Sequence, residues 1–142
     1  KSRLFRCGLS LAEMAHQIEQ TERAIYEQSV EKVLPKEYRH NFPDERERIV
    51  RKVKGAWDQV KSFSEPAELL INDEVTDAAL GDIKEFSLDG YDLFFLEAMK
   101  KNSIRQIITD DGDFATVTDI QVFTANRNVI STARNQGRLV KR

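Results

Sequence analysis

Short apolar runs alternate with longer amphipathic helical patterns along this chain. Residues 4–9, 104–109 and 120–124 have the length and composition of β-strands, and apolar residues between these runs recur at helical spacing. Strands that alternate with helices favour an α/β fold, in which helices pack on the faces of a sheet. In such folds the ligand site normally lies beyond the carboxyl ends of the strands. The end of the run at 104–109 is therefore the first candidate for a functional site.

Four amphipathic helices are predicted: residues 10–28, 44–60, 73–86, and a helix that follows capping residues at 87–92. Ser10 would begin the first of them, with Glu13 as its reciprocal capping partner. Residues 69–71 are one further, brief strand candidate. The order of these elements supports the α/β interpretation.

The length of 142 residues suits a single domain, and 40% hydrophobic with 32% charged residues is ordinary for a globular protein. A net charge of -2 argues against a broadly basic protein that binds any nucleic acid or membrane surface. No apolar run approaches membrane-spanning length, and the single cysteine, Cys7, has no partner for an intramolecular disulfide. We therefore expect no membrane association and a cytoplasmic location.

The run at 104–109 leads directly into three closely spaced aspartates, Asp110, Asp111 and Asp113. Like charges at contact distance repel by roughly 1 kcal/mol per pair even in bulk water, and by more when they are partly buried. A tight turn around Gly112 explains the composition, because Asp and Gly both favour turns. A bound cation would also explain why the charges are clustered. Both interpretations remain open from the residues alone.

Two further acids occupy comparable positions in the predicted elements. Glu13 and Asp92 each lie in the first turn of a predicted helix, and Asp111 and Asp113 directly follow a predicted strand. Capping explains Glu13, and interaction with the helix dipole explains Asp92, without any ligand. If the strand ends converge, however, the four carboxylates converge as well. Oxygen ligands of this kind are the ones that a hard divalent cation such as Mg²⁺ prefers.

The candidate acids lie in three segments of the chain: LSLAEMAHQIE around Glu13, SLDGYDLFFLEAMKKN around Asp92, and IITDDGDFATVTDIQVFTAN from Ile107. In their order and spacing they resemble the PIN-domain family of metal-dependent ribonucleases, which includes the VapC-like toxins of toxin–antitoxin systems. The resemblance implies a single domain over residues 1–142, with a three-layer α/β/α fold, a mainly parallel sheet and a helical insertion at 31–64. The family's central first strand, which ends in an aspartate, would have to precede Lys1.

The resemblance also implies an acidic pocket that holds Mg²⁺ or Mn²⁺. Carried over position by position, its catalytic and metal-binding residues would be Glu13, Asp92, Thr109, Asp111 and Asp113. Asp92 and Asp111 would bind the metal directly, and Glu13 and Asp113 would bind it through water or help to orient the attacking water. The Thr109 hydroxyl would orient the loop or a metal-bound water. Asp110 falls at a variable position without an assigned role, and Phe114 would pack beneath the loop.

The function implied is hydrolysis of an RNA phosphodiester with water as nucleophile, and the partners implied are an antitoxin protein and a second copy of the chain. Cations that could contact RNA lie at Arg105 and in the basic segment 127–142, at Arg127, Arg134, Arg138, Lys141 and Arg142. That segment is equally consistent with a solvated basic tail. The alternative function is a catalytically inactive PIN-like scaffold that binds RNA or a protein partner.

Overall fold

The computed structural model describes residues 2–140, and within them the chain is mostly helical. The chain divides after Ala67 into two compact units, called here the N-terminal unit and the C-terminal unit. Each unit contains one pair of very short strands that are parallel to one another. The expectation of a single domain remains a prediction, and the two units are described separately.

The N-terminal unit is a set of helices with one short strand at each end. Its elements are β1 (Phe5–Arg6), α1 (Gly8–Ser29), α2 (Pro35–Asn41), α3 (Pro43–Phe63) and β2 (Glu65–Pro66). Pro35 and Pro43 begin α2 and α3, because the fixed backbone angle and missing N–H of proline suit the first turn of a helix. Residues 31–64, expected to be a helical insertion, thus contain two helices.

The first helix begins earlier than the sequence predicts. Gly8 already belongs to α1, and the Ser10 hydroxyl accepts a hydrogen bond from the Cys7 N–H at 3.2 Å. Ser10 therefore lies inside the first turn and does not precede it. The predicted capping pair of Ser10 with Glu13 is wrong, because the Glu13 carboxylate instead accepts from the Gln17 side chain at 2.7 Å.

Aromatic side chains form much of the core of the N-terminal unit. Tyr38 is 1% exposed, and its ring lies 5.4 Å from that of Tyr26 and 6.1 Å from that of Phe42, measured between centroids. Val33 and Ile49 complete the buried cluster. Tilted rings at this separation contribute roughly 0.5–1.5 kcal/mol per pair beyond their burial. This cluster ties α2 to the two long helices.

A buried carboxylate also joins α1 to α3. Glu22 is 5% exposed, and it forms ion pairs with Lys52 at 2.7 Å and with Arg48 at 3.2 Å. A buried charge is tolerated only when opposite charge and hydrogen bonds compensate its desolvation. Two cations from successive turns of α3 provide that compensation and fix how the two helices align.

Tyr38 makes the stability of the N-terminal unit sensitive to alkaline pH. Burial, together with the hydrogen bond from its hydroxyl to Glu45 at 3.0 Å, raises the pKa of Tyr38 to about 12. The neutral phenol is thus favoured in the folded state, and this contribution is complete below the unfolded pKa of about 10 and is lost as pH rises towards 12. We expect the urea midpoint of this unit, followed by Trp57 fluorescence, to fall over that range.

The variant Tyr38→Phe should lack this part of the alkaline loss. At pH 7 it should be less stable by about 1 kcal/mol, because the hydrogen bond to Glu45 is gone. Tyr91→Phe, at a side chain that is 62% exposed, is the matched control and should keep the wild-type pH profile. An unchanged profile in Tyr38→Phe would contradict the assignment.

The C-terminal unit packs helices against one side of a parallel strand pair. Its elements are α4 (Asp73–Glu85), α5 (Gly90–Lys101), β3 (Gln106–Ile108), a 3-10 turn (Asp113–Thr116), β4 (Gln121–Phe123) and α6 (Arg127–Asn135). In the strand pair Ile107 lies opposite Val122, and both side chains pack against the core of the unit. Ile108, which points to the other face, is 73% exposed. The buried core consists of Ala79, Leu88, Leu93, Leu96, Phe114 and Val117.

The expected three-layer α/β/α PIN-like fold is wrong. The described residues form two separate sheets of two strands each, and no strand is longer than three residues. So few paired residues cannot form the central layer of a three-layer fold, which needs a sheet with both faces covered. The central strand expected to precede Lys1 falls outside the described residues.

The reason for the error lies in the length of the apolar runs. The run at 4–9 is shortened because α1 begins at Gly8, and residues 69–71 do not form a strand: Leu70 is 77% exposed, and Asn72 caps α4 by accepting from the Val75 N–H at 3.1 Å. The predicted helices at 73–86 and after 87–92 are confirmed as α4 and α5. Periodicity identified the helices, whereas strand number depends on partners far away in the chain.

Candidate acidic site of the C-terminal unit

The candidate site is the loop of residues 109–113, called here the acidic loop, at the carboxyl end of β3. The Thr109 N–H makes the last ladder bond, to the Phe123 carbonyl at 3.0 Å. The Thr109 hydroxyl then accepts from the Asp111 N–H at 3.0 Å, and an Asp111 carboxylate oxygen accepts from the Asp113 N–H at 2.8 Å. The Thr109 and Asp111 side chains thus shape the loop, because each accepts a hydrogen bond from the backbone N–H two residues further on.

Asp110 ties the acidic loop to the start of α6. One of its carboxylate oxygens accepts from the Thr124 hydroxyl at 2.8 Å, the Ala125 N–H at 2.9 Å and the Asn126 N–H at 3.1 Å. The Asn126 side chain donates in return to the Asp110 carbonyl at 2.9 Å. The hydrogen bond from Thr124, followed by that from Ala125, holds the pKa of Asp110 below its ordinary value. The structure therefore gives Asp110 a role in holding the loop.

Asp111 and Asp113 present their carboxylates to solvent. Both residues are exposed, and the bond from the Asp113 N–H occupies one oxygen of Asp111. Asp113 also begins the 3-10 turn, whose next residue, Phe114, is 2% exposed and packs into the core beneath the loop, as expected. Burial of Phe114 anchors the loop, so that the two neighbouring carboxylates remain accessible to a ligand.

Asp92 lies in the first turn of α5 and is partly buried. Its neighbour Leu93 and the Phe114 next to Asp113 belong to one buried cluster. A second link runs through Thr116, whose hydroxyl donates to the Asp113 carbonyl at 2.7 Å and accepts from the Ser87 N–H at 3.2 Å. The segment that leads into α5 and the turn that follows the acidic loop are therefore held on the same core.

Glu13, the fourth predicted acid, lies in the N-terminal unit. It is exposed on α1, where its contact is the hydrogen bond from Gln17. The structure thus groups Asp92, Thr109, Asp111 and Asp113 within one unit. Participation of Glu13 in the same site stays a prediction.

The predicted RNA-binding cations have different surroundings. Arg105 is exposed directly before β3, and Arg127 and Arg134 are exposed in the first and last turns of α6. Arg138 donates to the Ala115 carbonyl at 2.7 Å, which places its guanidinium against the turn that follows the acidic loop. Lys141 and Arg142 lie outside the described residues. Of the four predicted RNA-binding cations within the described residues, three thus belong to α6 or to the segment that follows it.

The helix α6 itself was missed at the sequence level, because residues 127–142 were treated as one basic segment. Two signals pointed to it. Asn126 is a favourable N-cap, and its side-chain oxygen accepts from the Asn128 N–H at 3.0 Å. Val129, Ile130 and Ala133, which are partly buried, also recur at helical spacing.

The chemistry of the exposed donors fits a hard divalent cation. Carboxylate oxygens from Asp111 and Asp113, with the Thr109 hydroxyl beside them, are ligands of the type that Mg²⁺ and Mn²⁺ accept. Across residues 2–140, no group of three or more His, Cys, Asp or Glu side chains is arranged to hold a metal ion. Mg²⁺ is commonly bound by only one or two carboxylates, with waters and substrate phosphates as the other ligands.

Comparisons of the chain with models of known protein families, with curated proteins and with solved structures give no match. In the part of the chain that the structure describes, none of the helices has both the length and the apolar character needed to cross a membrane. Function is therefore inferred from the chemistry of the acidic loop and its surroundings.

Proposed function

We propose that this chain is a divalent-metal-dependent ribonuclease that hydrolyses RNA phosphodiester bonds at the acidic loop. The observation that supports this proposal is the fixed geometry of the loop. Its backbone is held by the Thr109 hydroxyl and by Asp110, while the carboxylates of Asp111 and Asp113 stay exposed at the end of a parallel strand. Exposed carboxylates on a rigid loop are preorganised to bind a cation together with a phosphate.

Within this proposal the residues of the loop have separate tasks. Asp111 and Asp113 would hold the ion, and the hydrogen bond from the Asp113 N–H fixes the direction of the Asp111 carboxylate. Thr109 accepts the Asp111 N–H, so its own hydroxyl proton can be donated to water or substrate. Asp92, in the first turn of α5, is assigned to the ion as a further ligand. A bound divalent ion would lower the pKa of the attacking water and stabilise negative charge on the phosphate.

Substrate binding is assigned to the cations around α6. Because Asp110 ties the start of α6 to the acidic loop, the exposed Arg127 follows directly after the site. Arg138 donates to the carbonyl of Ala115, which follows Asp113 in the 3-10 turn. Guanidinium groups at these places would bind the RNA backbone and offset the repulsion between its phosphates and the carboxylates.

One part of the proposal concerns partners. The chain would serve as the toxin of a toxin–antitoxin pair, with an antitoxin protein and a second copy of itself as partners. A toxin should arrest growth when it is expressed without its antitoxin, whereas a housekeeping ribonuclease should not.

The test is cleavage of a 5′-labelled single-stranded RNA by the purified chain. We expect cleavage with MgCl₂ or MnCl₂, loss of cleavage in EDTA, and recovery when the metal is added back in excess. Because the proposed ion is needed for chemistry, binding of the RNA should persist in EDTA when it is measured by fluorescence anisotropy. RNA binding without cleavage in either metal would contradict the ribonuclease and support the inactive scaffold instead.

A further inference from the structure

The N-terminal unit contains an open groove between α1 and α3, with a volume of about 620 Å³. Its lining combines apolar side chains, including the one tryptophan of the chain, with charged side chains and His16. The apolar side chains that line it are Leu11, Ala15, Ile49, Val50, Val53 and Trp57. A volume of this size is within the usual range of roughly 300–1,000 Å³ for ligand sites, so it can accept several side chains.

The spacing of the lining residues gives the groove its length and direction. On α1 the lining recurs every four residues from Leu11 to Glu19, and on α3 it runs from Arg46 to Trp57 at intervals of three and four residues. At 1.5 Å per residue the stripe on α3 extends about 16 Å, which is three turns of a helix. A straight groove of this length between two helices matches the shape of a third helix laid along them.

The margins of the groove carry more positive than negative charge. Glu19 is shared by two cations, Arg39 and Arg46, and the distance to Arg46 is 2.9 Å. Asp58, beside the groove on α3, is likewise shared by Lys54 and by Lys61, the latter at 2.9 Å. Each carboxylate neutralises only one of its two cations. The residues that line the groove include three cations, Arg39, Arg46 and Lys54, and one acid, Glu19, and this excess of positive charge favours an occupant with carboxylates.

We propose that this groove binds a short amphipathic helix from a partner protein, with aliphatic side chains on one face and acidic side chains along its edges. The aliphatic face would enter between α1 and α3, where Val50 is now 52% exposed. The acidic edges would meet Arg39, Arg46 and Lys54. This inference is independent of the proposed ribonuclease activity.

The composition of the floor favours a helix over RNA. Proteins that bind single-stranded RNA stack its bases on several aromatic side chains. The groove offers one large aromatic ring, Trp57, and one imidazole, His16, and its other apolar residues are aliphatic. Aliphatic side chains gain most by burying other aliphatic surface, at roughly 25 cal/mol per Å². A helix that carries leucine and isoleucine supplies that surface.

The test uses Trp57 as an intrinsic reporter, because it is the single tryptophan. Two synthetic amphipathic peptides of about four helical turns share one leucine and isoleucine face, and carry either glutamate or lysine at the flanking positions. The glutamate peptide should bind saturably and shift Trp57 emission to the blue. The lysine peptide should bind at least about 10-fold more weakly, because its charges repel those at the margins.

Two variants distinguish binding in the groove from non-specific binding of the peptide. Val50→Glu places a carboxylate on the floor and should weaken the glutamate peptide at least about 10-fold, because a charge would be buried opposite an apolar face. Ile25→Glu is the matched control: Ile25 lies on α1 outside the groove and is 49% exposed, close to the 52% of Val50. It should leave the affinity within about twofold. Circular dichroism should show both variants folded.

Three results would overturn the proposal. The first is equal binding of both peptides, or no spectral change with either. The second is equal loss of binding in the two variants. The third is a different occupant: an oligoribonucleotide that shifts Trp57 emission and displaces the glutamate peptide, or self-association of the chain in sedimentation that Val50→Glu abolishes. Binding of the glutamate peptide alone, with loss only in Val50→Glu, would support the acidic helix.

Discussion

Replacement of Asp111 by asparagine should lower the rate of metal-dependent RNA cleavage by on the order of 100-fold or more, since residues that only support a metal ligand already cost 10–100-fold when changed. Asparagine has the same shape as aspartate, and its side-chain oxygen can still accept the Asp113 N–H, so the loop should keep its conformation. The change removes only the negative charge that the cation needs. Single-turnover cleavage at saturating RNA, over a range of Mg²⁺ concentrations, would measure the effect.

Asp119→Asn is the matched control for this prediction. Asp119 is also exposed in the C-terminal unit, and its backbone has a φ of 64°, a left-handed conformation that asparagine tolerates well. This variant also loses one negative charge, but at a position outside the acidic loop. It should cleave RNA within about twofold of wild type, as expected for a surface change away from any special feature.

Asp92→Asn should resemble Asp111→Asn, because both carboxylates are assigned to the ion. If either variant kept full activity while Asp119→Asn also did, the acidic loop would not be the site of cleavage. A loss in all three variants would show that the effect is not specific to the acidic loop, because removal of a negative charge elsewhere should not weaken binding of a polyanion. Thermal melts of each variant would separate loss of function from loss of folding.

The largest effect on stability is expected for Phe114→Ala. Phe114 is 2% exposed and packs with Leu88, Leu93 and Leu96 in the core of the C-terminal unit. Removal of a buried phenylalanine ring typically costs about 3–5 kcal/mol, because apolar contact is lost and a cavity remains. Total stabilities of natural domains are about 5–15 kcal/mol, so this loss would remove a large fraction of the free energy of unfolding.

Hydrogen exchange of the amides at 88–117 would follow this unit directly, and urea unfolding by circular dichroism would give the free energy. Phe63→Ala is the matched control, since Phe63 is 55% exposed at the end of α3 and the same atoms are removed. Its effect should stay within about 0.5 kcal/mol, as is usual for surface sites. If Phe114→Ala lowered the free energy of unfolding as little as Phe63→Ala does, the ring of Phe114 would not be part of the buried core.

The helices of this protein were predictable where an apolar stripe is long. Within α3, a helix of 21 residues, the side chains of Ile49, Val53 and Trp57 recur every four residues, so the pattern is unambiguous. The helix α2 has only seven residues and begins at Pro35, which the sequence alone indicates as a break. Short helices carry too few apolar positions to define a period, and their presence depends on contacts such as that of Tyr38 with the long helices.

The strands were predicted in approximate position, but the fold drawn from them was wrong. Residues 104–109 and 120–124 pair as expected from their apolar character, yet only three residues of each are in the ladder. How many strands join one sheet is decided by hydrogen bonds between distant segments, and no local pattern reports it. The predicted order of elements was also incomplete, because residues 69–71 do not form a strand, while β2, α2 and α6 were not predicted.

The acidic loop was the most predictable part of the candidate site. Three aspartates after an apolar strand required a compensating structure, and the loop provides it through the backbone contacts of Asp110 and Asp111. The particular role of Asp110 could not be read from the sequence, because its partners at 124–126 lie 14 or more residues further along the chain.

The contact between Asp110 and the start of α6 makes the acidic loop and this helix move as one body. A single carboxylate oxygen binds three donors around Thr124 and Asn126, and the Asn126 side chain closes the connection from the other side. A ligand that displaces the loop must therefore carry Arg127 with it. The four hydrogen bonds between Asp110 and residues 124–126 thus connect the carboxylates of the loop to the helix that carries the cations.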